Sequence, residues 1–257
     1  QTCLSHHGYS IQTGLYTVNG YFGQGKNARP KASMQQLVRL RIDGVEETNM
    51  TDTKEERKPS ARETILETAA GLFFREGYRA IGVDTIIKQA GVAKMTLYRH
   101  FPTKDDLIVA YLQDTNDKFW AWFDEATNQT KGQPAAQLTA FFRALQKLVT
   151  SPQCYGCPFL NAIVDFPEKD HPGHRTSLQH KQTVRSRFRE LAQQAGARTP
   201  DVLANQLLLL MDGAFMTVRM FGADNPAADV AEAAEALIRA QGIGAPVVSR
   251  SHPHKLG

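Results

Sequence analysis

The most informative segment of the sequence is VDTIIKQAGVAKMTLYRHFPTK, which runs from Val83 to Lys104. Its first half has apolar residues at helical spacing, and Gly91 supplies the left-handed conformation that commonly ends a helix. A second short helix follows and stops before Pro102, because proline disfavours a helical residue in front of it. Two short helices joined by a turn that contains glycine predict a helix-turn-helix, whose second helix enters the major groove of DNA.

The apolar and polar positions of this stretch define an inner and an outer face. The inward positions are Ile86, Ile87 and Ala90 on the first helix, and Val92, Leu97 and Phe101 in the second half. The outer face of the second helix is polar, and no acidic residue occurs between Lys94 and Lys104. We therefore predict DNA contacts from Lys94, Met95, Thr96, Tyr98, Arg99, His100 and Lys104, and from Thr85 on the first helix.

These residues are expected to divide into two roles. Arg99 is expected to read a base, because arginine can donate two hydrogen bonds to O6 and N7 of guanine, and residues 94–96 can add hydrogen bonds or touch a thymine methyl group. Tyr98, His100 and Lys104 are expected to contact phosphates, which set the register of a protein on the duplex. The alternative is that Tyr98 packs structurally and that His100 only fills the helix end.

The stretch and its flanks resemble the N-terminal DNA-binding domain of the TetR family of bacterial transcriptional regulators. The similar segments are ILETAAGLFFREGY, IIKQAGVAKMTLYRHF and PTKDDL, which lie between Ala61 and Tyr111. The resemblance implies an all-α protein, with a three-helix helix-turn-helix domain followed by a helical ligand-binding and dimerisation domain. Two positions depart from the pattern, since Gly82 and Ala93 stand where the family usually has a hydroxyl residue that caps the helix and touches phosphate.

Composition narrows the class of protein without identifying it. The 257 residues are 42% hydrophobic and carry a formal charge of only +4, so charge alone does not indicate a nucleic-acid partner. Three cysteines in a chain of this length favour a reducing compartment over a disulfide framework. No apolar run reaches the ~20 residues of a membrane span, and no signal-peptide pattern opens the sequence. We therefore expect a cytoplasmic protein without a membrane partner.

Cap signals and breaks in periodicity suggest the domain organisation. Ser60 with Glu63, and Thr103 with Asp106, have the spacing of capping boxes at helix starts. The predicted divisions are a flexible extension and linker at 1–59, the helix-turn-helix domain at 60–105, the ligand-binding and dimerisation domain at 106–242, and a loose tail at 243–257. An alternative for the extension is a basic arm that touches DNA through Lys26, Arg29, Lys31, Arg39 and Arg41.

The last part of the second domain predicts how the protein assembles. The segment from Asp201 to Met220 is the most apolar helix, and a helix that is apolar all round must be covered on every side. A second helix rich in alanine follows from Ala228 to Arg239. Pairing with the same two helices of a second chain would bury the surplus apolar surface about a two-fold axis. Dimerisation of this kind is also what the resemblance implies.

Aromatic residues of the second domain suggest a cavity, which the resemblance implies is an inducer site. The candidate ligand-binding residues are Trp122, Phe142, Phe159, Asn161, Phe166, His174, Phe188, Met211 and Phe215. For any single aromatic residue of the set, ordinary core packing is the alternative. Asp165 and His180 are further candidates for polar anchors. Lys181, Arg185 and Arg189, spaced four residues apart, are expected to form a solvated face.

A competing hypothesis is a metal- or thiol-based sensor. Cys154 and Cys157, with His171 and His174, resemble zinc-ligand pairs, and the cysteine pair alone could form a thiol switch. The histidines, however, are closer together than is usual for zinc ligands, and no basic residue beside the cysteines along the chain would lower a thiol pKa. No catalytic triad, phosphate loop or carboxylate pair indicates an enzyme, and no cofactor is expected. The favoured hypothesis is a repressor that a small molecule releases from a palindromic operator in double-stranded DNA.

Overall fold

The structure, a computed structural model, describes residues 58–222 and 224–243 of the chain. Within these two ranges it contains nine α-helices and no strand, which confirms the predicted all-α fold. The extension as far as residue 57, including the candidate basic arm, lies outside the described residues, as does the tail beyond residue 243.

The helices follow one another with short connections. The first three are α1 (Ala61–Glu76), α2 (Val83–Ala90) and α3 (Lys94–His100). The remaining six are α4 (Lys104–Thr127), α5 (Pro134–Val149), α6 (Pro158–Asp165), α7 (Pro172–Gln194), α8 (Pro200–Phe221) and α9 (Val230–Ala240). Short 3-10 helices at Asn128–Thr130 and Pro226–Asp229 precede α5 and α9.

The first three helices form the predicted helix-turn-helix unit. Ser60 and Glu63 make the capping box of α1, in which the Ser60 N–H donates to the Glu63 carboxylate at 2.7 Å. Gly91 ends α2 with a φ of 67°, a conformation that glycine adopts without a Cβ clash. Ile86 and Leu97 have no exposed surface and hold α2 and α3 against α1. The outer face of α3 is therefore mounted on a packed support.

One long helix, α4, runs from the helix-turn-helix unit into the second domain. Thr103 and Asp106 form the predicted capping box at its start, where the Thr103 N–H donates to the Asp106 carboxylate at 2.9 Å. Near this end the ring of Tyr111 packs 5.9 Å from that of Phe73 in α1. Near the other end Phe123 lies in the core of the second domain. The predicted domain boundary at 105/106 falls inside this helix. Because α4 packs in both domains, a movement of α4 would affect both.

Helices α4 to α9 build the second domain around an aromatic core. Phe141 and Phe142 of α5 meet Phe188 of α7 with ring centroids 5.3 and 5.7 Å apart, and none of the three has exposed surface. α8 packs against α7 on one side and α9 on the other. Its remaining side keeps large apolar side chains exposed, with Leu209 72% and Met220 66% exposed. The surplus apolar surface expected for this helix is present.

The helix α8 also bears on the expectation about membranes. By length and composition alone, α8 qualifies as a membrane span, and it is the one helix in 58–222 and 224–243 that does so. The expectation that no apolar run is long enough was therefore wrong for this helix. Core helices of water-soluble proteins pass the same criterion, and α8 has neighbouring helices on two sides, so its composition is weak support for a membrane location.

Candidate functional site

The face of α3 that points away from the core carries the residues predicted to touch DNA. Met95 is 79% and Tyr98 38% exposed, and Lys94 and Arg99 are exposed as well. Thr96, His100 and Lys104 are half-buried, and Thr85 on α2 is exposed. The structure thus brings the eight predicted residues onto α3 and its immediate neighbours, where a DNA groove could reach them.

Charges near α3 are weakly neutralised. The Lys94 ammonium lies 3.4 Å from the carboxylate of Asp84, which precedes the acid-free segment between Lys94 and Lys104. Both side chains are more than half exposed, so the pair contributes little and Lys94 can exchange it for a phosphate. Partial burial lowers the pKa of Lys104, while Asp105 and Asp165 oppose that shift. Arg99, at the exposed centre of this face, forms no ion pair with any other residue that the structure describes.

A buried tyrosine joins the helix-turn-helix unit to the second domain. Tyr78, in the loop between α1 and α2, is 1% exposed, and its hydroxyl donates to the carbonyl of Pro158 at 2.9 Å. Its ring packs between those of Phe73, Tyr111 and Phe166. Burial, aided by Tyr111, raises the pKa of Tyr78 well above its usual value, so the hydroxyl keeps the proton that it donates.

The same loop is held at the other end of α6. Asp165 accepts the backbone N–H of Tyr78 at 2.8 Å and that of Arg79 at 3.4 Å. The Arg79 side chain also donates to the backbone carbonyl of Asp165 and lies 3.7 Å from Glu168. Asp165 was a candidate polar anchor for a ligand, whereas the structure uses it to hold the loop before α2. No local pattern indicated this contact, because its partners are more than eighty residues apart.

A cavity of about 690 Å³, counting the space at its mouth, lies between α4, α6, α7 and α8. Its walls are mainly aromatic and aliphatic, and include Phe74, Phe119, Trp122, Phe159, Met211 and Phe215. The first residues of α6, Pro158 and Phe159, form part of the wall, so the cavity adjoins the Tyr78 contact.

The predicted ligand-binding residues fall into two groups. Those that line the cavity are Trp122, Phe159, Met211 and Phe215. The structure places the other five elsewhere: Phe142, Asn161, Phe166, His174 and Phe188 do not line it. Phe142 and Phe188 are core side chains that pack on each other. Apolar periodicity predicts that such residues are buried, but it does not show whether they line a cavity. The ring of Phe166 stacks on His171 at 3.9 Å instead.

His180, a candidate polar anchor, is one of the polar residues that line the cavity. His180 is 4% exposed, and burial, followed by the charge of Lys181, lowers its pKa to about 3. Its Nδ1 bonds the side-chain oxygen of Asn116 at 2.9 Å, and that oxygen also accepts the Trp120 indole N–H. Because the oxygen can only accept, Nδ1 carries the proton and the ring is neutral.

The expectation of a solvated basic face on α7 was wrong for Lys181, whereas the side chains of Arg185 and Arg189 remain 44% and 48% exposed. Lys181 is 7% exposed, and its ammonium lies 2.6 Å from the Asp212 carboxylate on α8. Arg185 donates to Asn205 at 2.5 Å, and Arg189 lies 2.9 Å from Asp201, so each basic residue meets a polar partner on α8. The spacing correctly placed the three residues on one stripe. It could not show that polar residues of α8 pair with the stripe or that Lys181 is buried.

The cysteines and histidines of the metal- or thiol-sensor hypothesis make separate contacts in the structure. Cys154 and Cys157 are buried and free, and burial raises the pKa of Cys154 to about 11. His171 accepts the Gly173 N–H at 3.1 Å as the cap of α7, and His174 donates to the Phe166 carbonyl at 2.8 Å. No cluster of three or more potential metal-binding side chains occurs in the part of the chain that the structure describes. In the fold Lys181 does adjoin Cys157, a neighbour that the linear sequence does not reveal.

Comparisons with known families agree with both halves of this arrangement. Residues 65–111 match the sequence model for bacterial regulatory proteins of the TetR family. Residues 134–234 match that of a tetracyclin repressor-like C-terminal domain. The curated activator FasR of Mycolicibacterium smegmatis is 33% identical over 110 residues, which cover 42% of this chain and 49% of FasR. The chain thus spans about half the length of this relative.

Solved structures extend the similarity over both domains. A TetR-type transcriptional regulator from Streptomyces avermitilis is 32% identical, with a TM-score of 0.65, and the match covers 72% of this chain and all of that one. A TetR-family regulator from Streptomyces coelicolor is also 32% identical, with a TM-score of 0.67 and coverage of 70% and 95%. These matches favour a DNA-binding regulator over the metal- or thiol-sensor hypothesis. The chain belongs to the TetR family of transcriptional regulators and is a DNA-binding regulator rather than an enzyme.

Proposed function

We propose that the protein is a cytoplasmic homodimeric repressor that binds a palindromic operator and leaves it when a small molecule occupies the cavity. The observation that carries the proposal is the exposed face of α3, where Arg99, Tyr98 and Met95 project from a helix held by buried Leu97. A rigid helix with an exposed arginine and no acidic residue of its own suits the major groove. Tyr98, His100 and Lys104 would position it through phosphates.

Helix α8 supports assembly into a dimer. Val202, Leu209, Met216 and Met220 are exposed apolar residues of one stripe, with spacings of seven, seven and four residues. Gly213 lies on the same stripe with open space beside it, which allows close approach of another helix. A second copy of α8 presents the same stripe, so a two-fold axis would cover both. The two α3 helices must then lie ~34–36 Å apart to reach successive major grooves.

Helix α6 offers a route from the cavity to DNA. Its first residues line the cavity and receive the Tyr78 hydroxyl, and its last residue, Asp165, holds the N–H groups of Tyr78 and Arg79. A ligand that displaces α6 would therefore move the loop that leads into α2 and α3. In the dimer that no longer binds the operator, the two α3 helices do not match the DNA grooves. A ligand that binds this geometry more tightly than the DNA-binding geometry lowers operator affinity.

The test is to map the genomic fragments that the purified full chain protects, and to locate them relative to promoters. A palindromic site with half-sites one helical turn apart, overlapping a promoter, is the expected result. Sites upstream of the promoter would instead indicate an activator, as FasR is named. Protection without sequence preference, or by a monomer, would contradict the proposal.

A further inference from the structure

Two lysines are among the residues that line the cavity. Lys118 and Lys181 both line the cavity, together with the hydroxyl residue Thr115. No carboxylate is among the lining residues of this cavity. The remaining surface is mostly apolar or aromatic, so polar recognition is concentrated in these few groups.

Each lysine is bound to an aspartate that does not itself line the cavity. Lys118 lies 2.5 Å from Asp114, and Lys181 lies 2.6 Å from Asp212. The positive partner of each ion pair is therefore a lining residue of the cavity, and the negative partner is not. Although each pair is formally neutral, both dipoles favour a negative group in the cavity and disfavour a positive one.

Lys181 keeps donor capacity beyond its aspartate. An ammonium group has three N–H donors, of which the Asp212 contact occupies one and the Cys157 contact a second, so one donor remains. Burial alone lowers the pKa of Lys181, but neighbouring Cys157 and Asp212 outweigh burial and raise it, so the side chain is charged at neutral pH. A charged donor that is 7% exposed in an apolar cavity forms stronger hydrogen bonds than one in water.

Aromatic side chains set the shape of the rest of the site. His180 stacks on Phe159 with a centroid distance of 3.6 Å and an angle of 9° between the rings. Phe119 meets Trp122 at 5.8 Å, and both line the cavity. Flat aromatic walls favour a ligand with a planar ring, because ring faces and edges pack well against one another. Neutral His180 adds no charge to this wall.

We propose that the effector is an organic acid with a planar apolar ring system, whose carboxylate or equivalent anion accepts hydrogen bonds from Lys181 and, at longer reach, from Lys118. The proposal rests on the effector role of the cavity and gives that role a chemical class. Cationic aromatic compounds, which suit other apolar cavities, would meet the positive ends of two ion pairs here.

Three naphthalene probes that differ in one substituent test the charge preference. 2-Naphthoate is anionic, 2-naphthamide is a neutral isostere and 2-naphthylmethylammonium is cationic. Isothermal titration of the full chain should give the order naphthoate, naphthamide, ammonium, with about ten-fold tighter binding of naphthoate than of naphthamide. Quenching of Trp122 fluorescence, absent in Trp122→Phe, should accompany binding because this side chain lines the cavity.

The double variant Lys181→Met/Asp212→Asn removes both charges and leaves no unpaired buried carboxylate. Its preference for naphthoate over naphthamide should fall to about three-fold or less. Lys147→Met, which changes an exposed lysine outside the cavity, should keep the preference of the original chain. Equal binding of all three probes, tightest binding of the ammonium, no binding at millimolar concentration or an unchanged preference in the double variant would overturn the proposal.

Calorimetry requires no DNA, so its outcome is independent of the proposed repressor function. Naphthoate that binds the cavity without weakening a mapped operator complex would support the ligand class and count against effector control. Sequence-specific operator binding combined with a preference for the ammonium probe would support the repressor and overturn the ligand class.

Discussion

The hydroxyl of Tyr78 donates a 2.9 Å hydrogen bond to the carbonyl of Pro158, across eighty positions of the chain. This bond connects the loop before α2 to a residue in the cavity wall. Because Tyr78 is 1% exposed, neither partner has water as an alternative when the bond is lost. The contact between the loop before α2 and the cavity wall is thus a buried feature with a measurable contribution to stability.

Tyr78→Phe should lower the free energy of unfolding by about 1 kcal/mol, because the Pro158 carbonyl then loses a buried donor. Urea denaturation of the variant and the original chain measures the difference. Tyr98→Phe is the matched control, since Tyr98 is 38% exposed and its hydroxyl can bond water. Equal stability of Tyr78→Phe and the original chain would show that the hydrogen bond contributes nothing.

Arg99→Ala should weaken binding to the mapped operator by ~1–3 kcal/mol and relax base preference at one position of each half-site. Mobility-shift titrations should compare the operator with a scrambled duplex of the same length and composition. Lys88→Ala, on the exposed surface of α2, provides a comparison for simple loss of charge. Equal weakening on both duplexes would show that Arg99 contacts phosphate only.

Stability should fall as the pH decreases from about 6.5 to about 3 because of His180. Its pKa is lowered from 6.5 to about 3 in the fold, so in this window the unfolded chain binds a proton that the native chain does not. The loss per group is at most ~1.4 kcal/mol per pH unit. Urea denaturation at pH 5.0 and 7.5 should show a smaller pH difference for His180→Phe than for the original chain. The same difference in both proteins would rule out His180 as its source.

Leu209→Glu should convert the dimer to a monomer, since the two-fold axis would bring an unpaired charge from each chain into the apolar α8 interface. Light scattering coupled to size-exclusion chromatography measures the mass directly. Val164→Glu is a matched control, because Val164 is 70% exposed on α6, outside the α8 stripe, and Leu209 is 72% exposed. A dimer that survives Leu209→Glu would place the interface elsewhere.

Local sequence was sufficient for the helix-turn-helix. Ile86, Leu97 and the left-handed Gly91 act within about twenty residues of one another, and both capping boxes form within one helical turn. Helical spacing, caps and turn glycines are physical properties of short segments, so the outer face of α3 could be read before any fold was known. The all-α class followed from the same signals and from the family resemblance.

Local patterns were thus enough to show which residues share a helix face. What each face contacts depended on the packing of the helices: Lys181 lies on a basic stripe, but its contact with Asp212, thirty-one residues away, buries it, while Arg189 on the same stripe stays exposed. Asp165 similarly became a link to Tyr78, and Phe142 became core instead of cavity wall. The physical reason is that helix formation depends on neighbours along the chain, whereas burial and pairing depend on packing between helices that are distant in sequence.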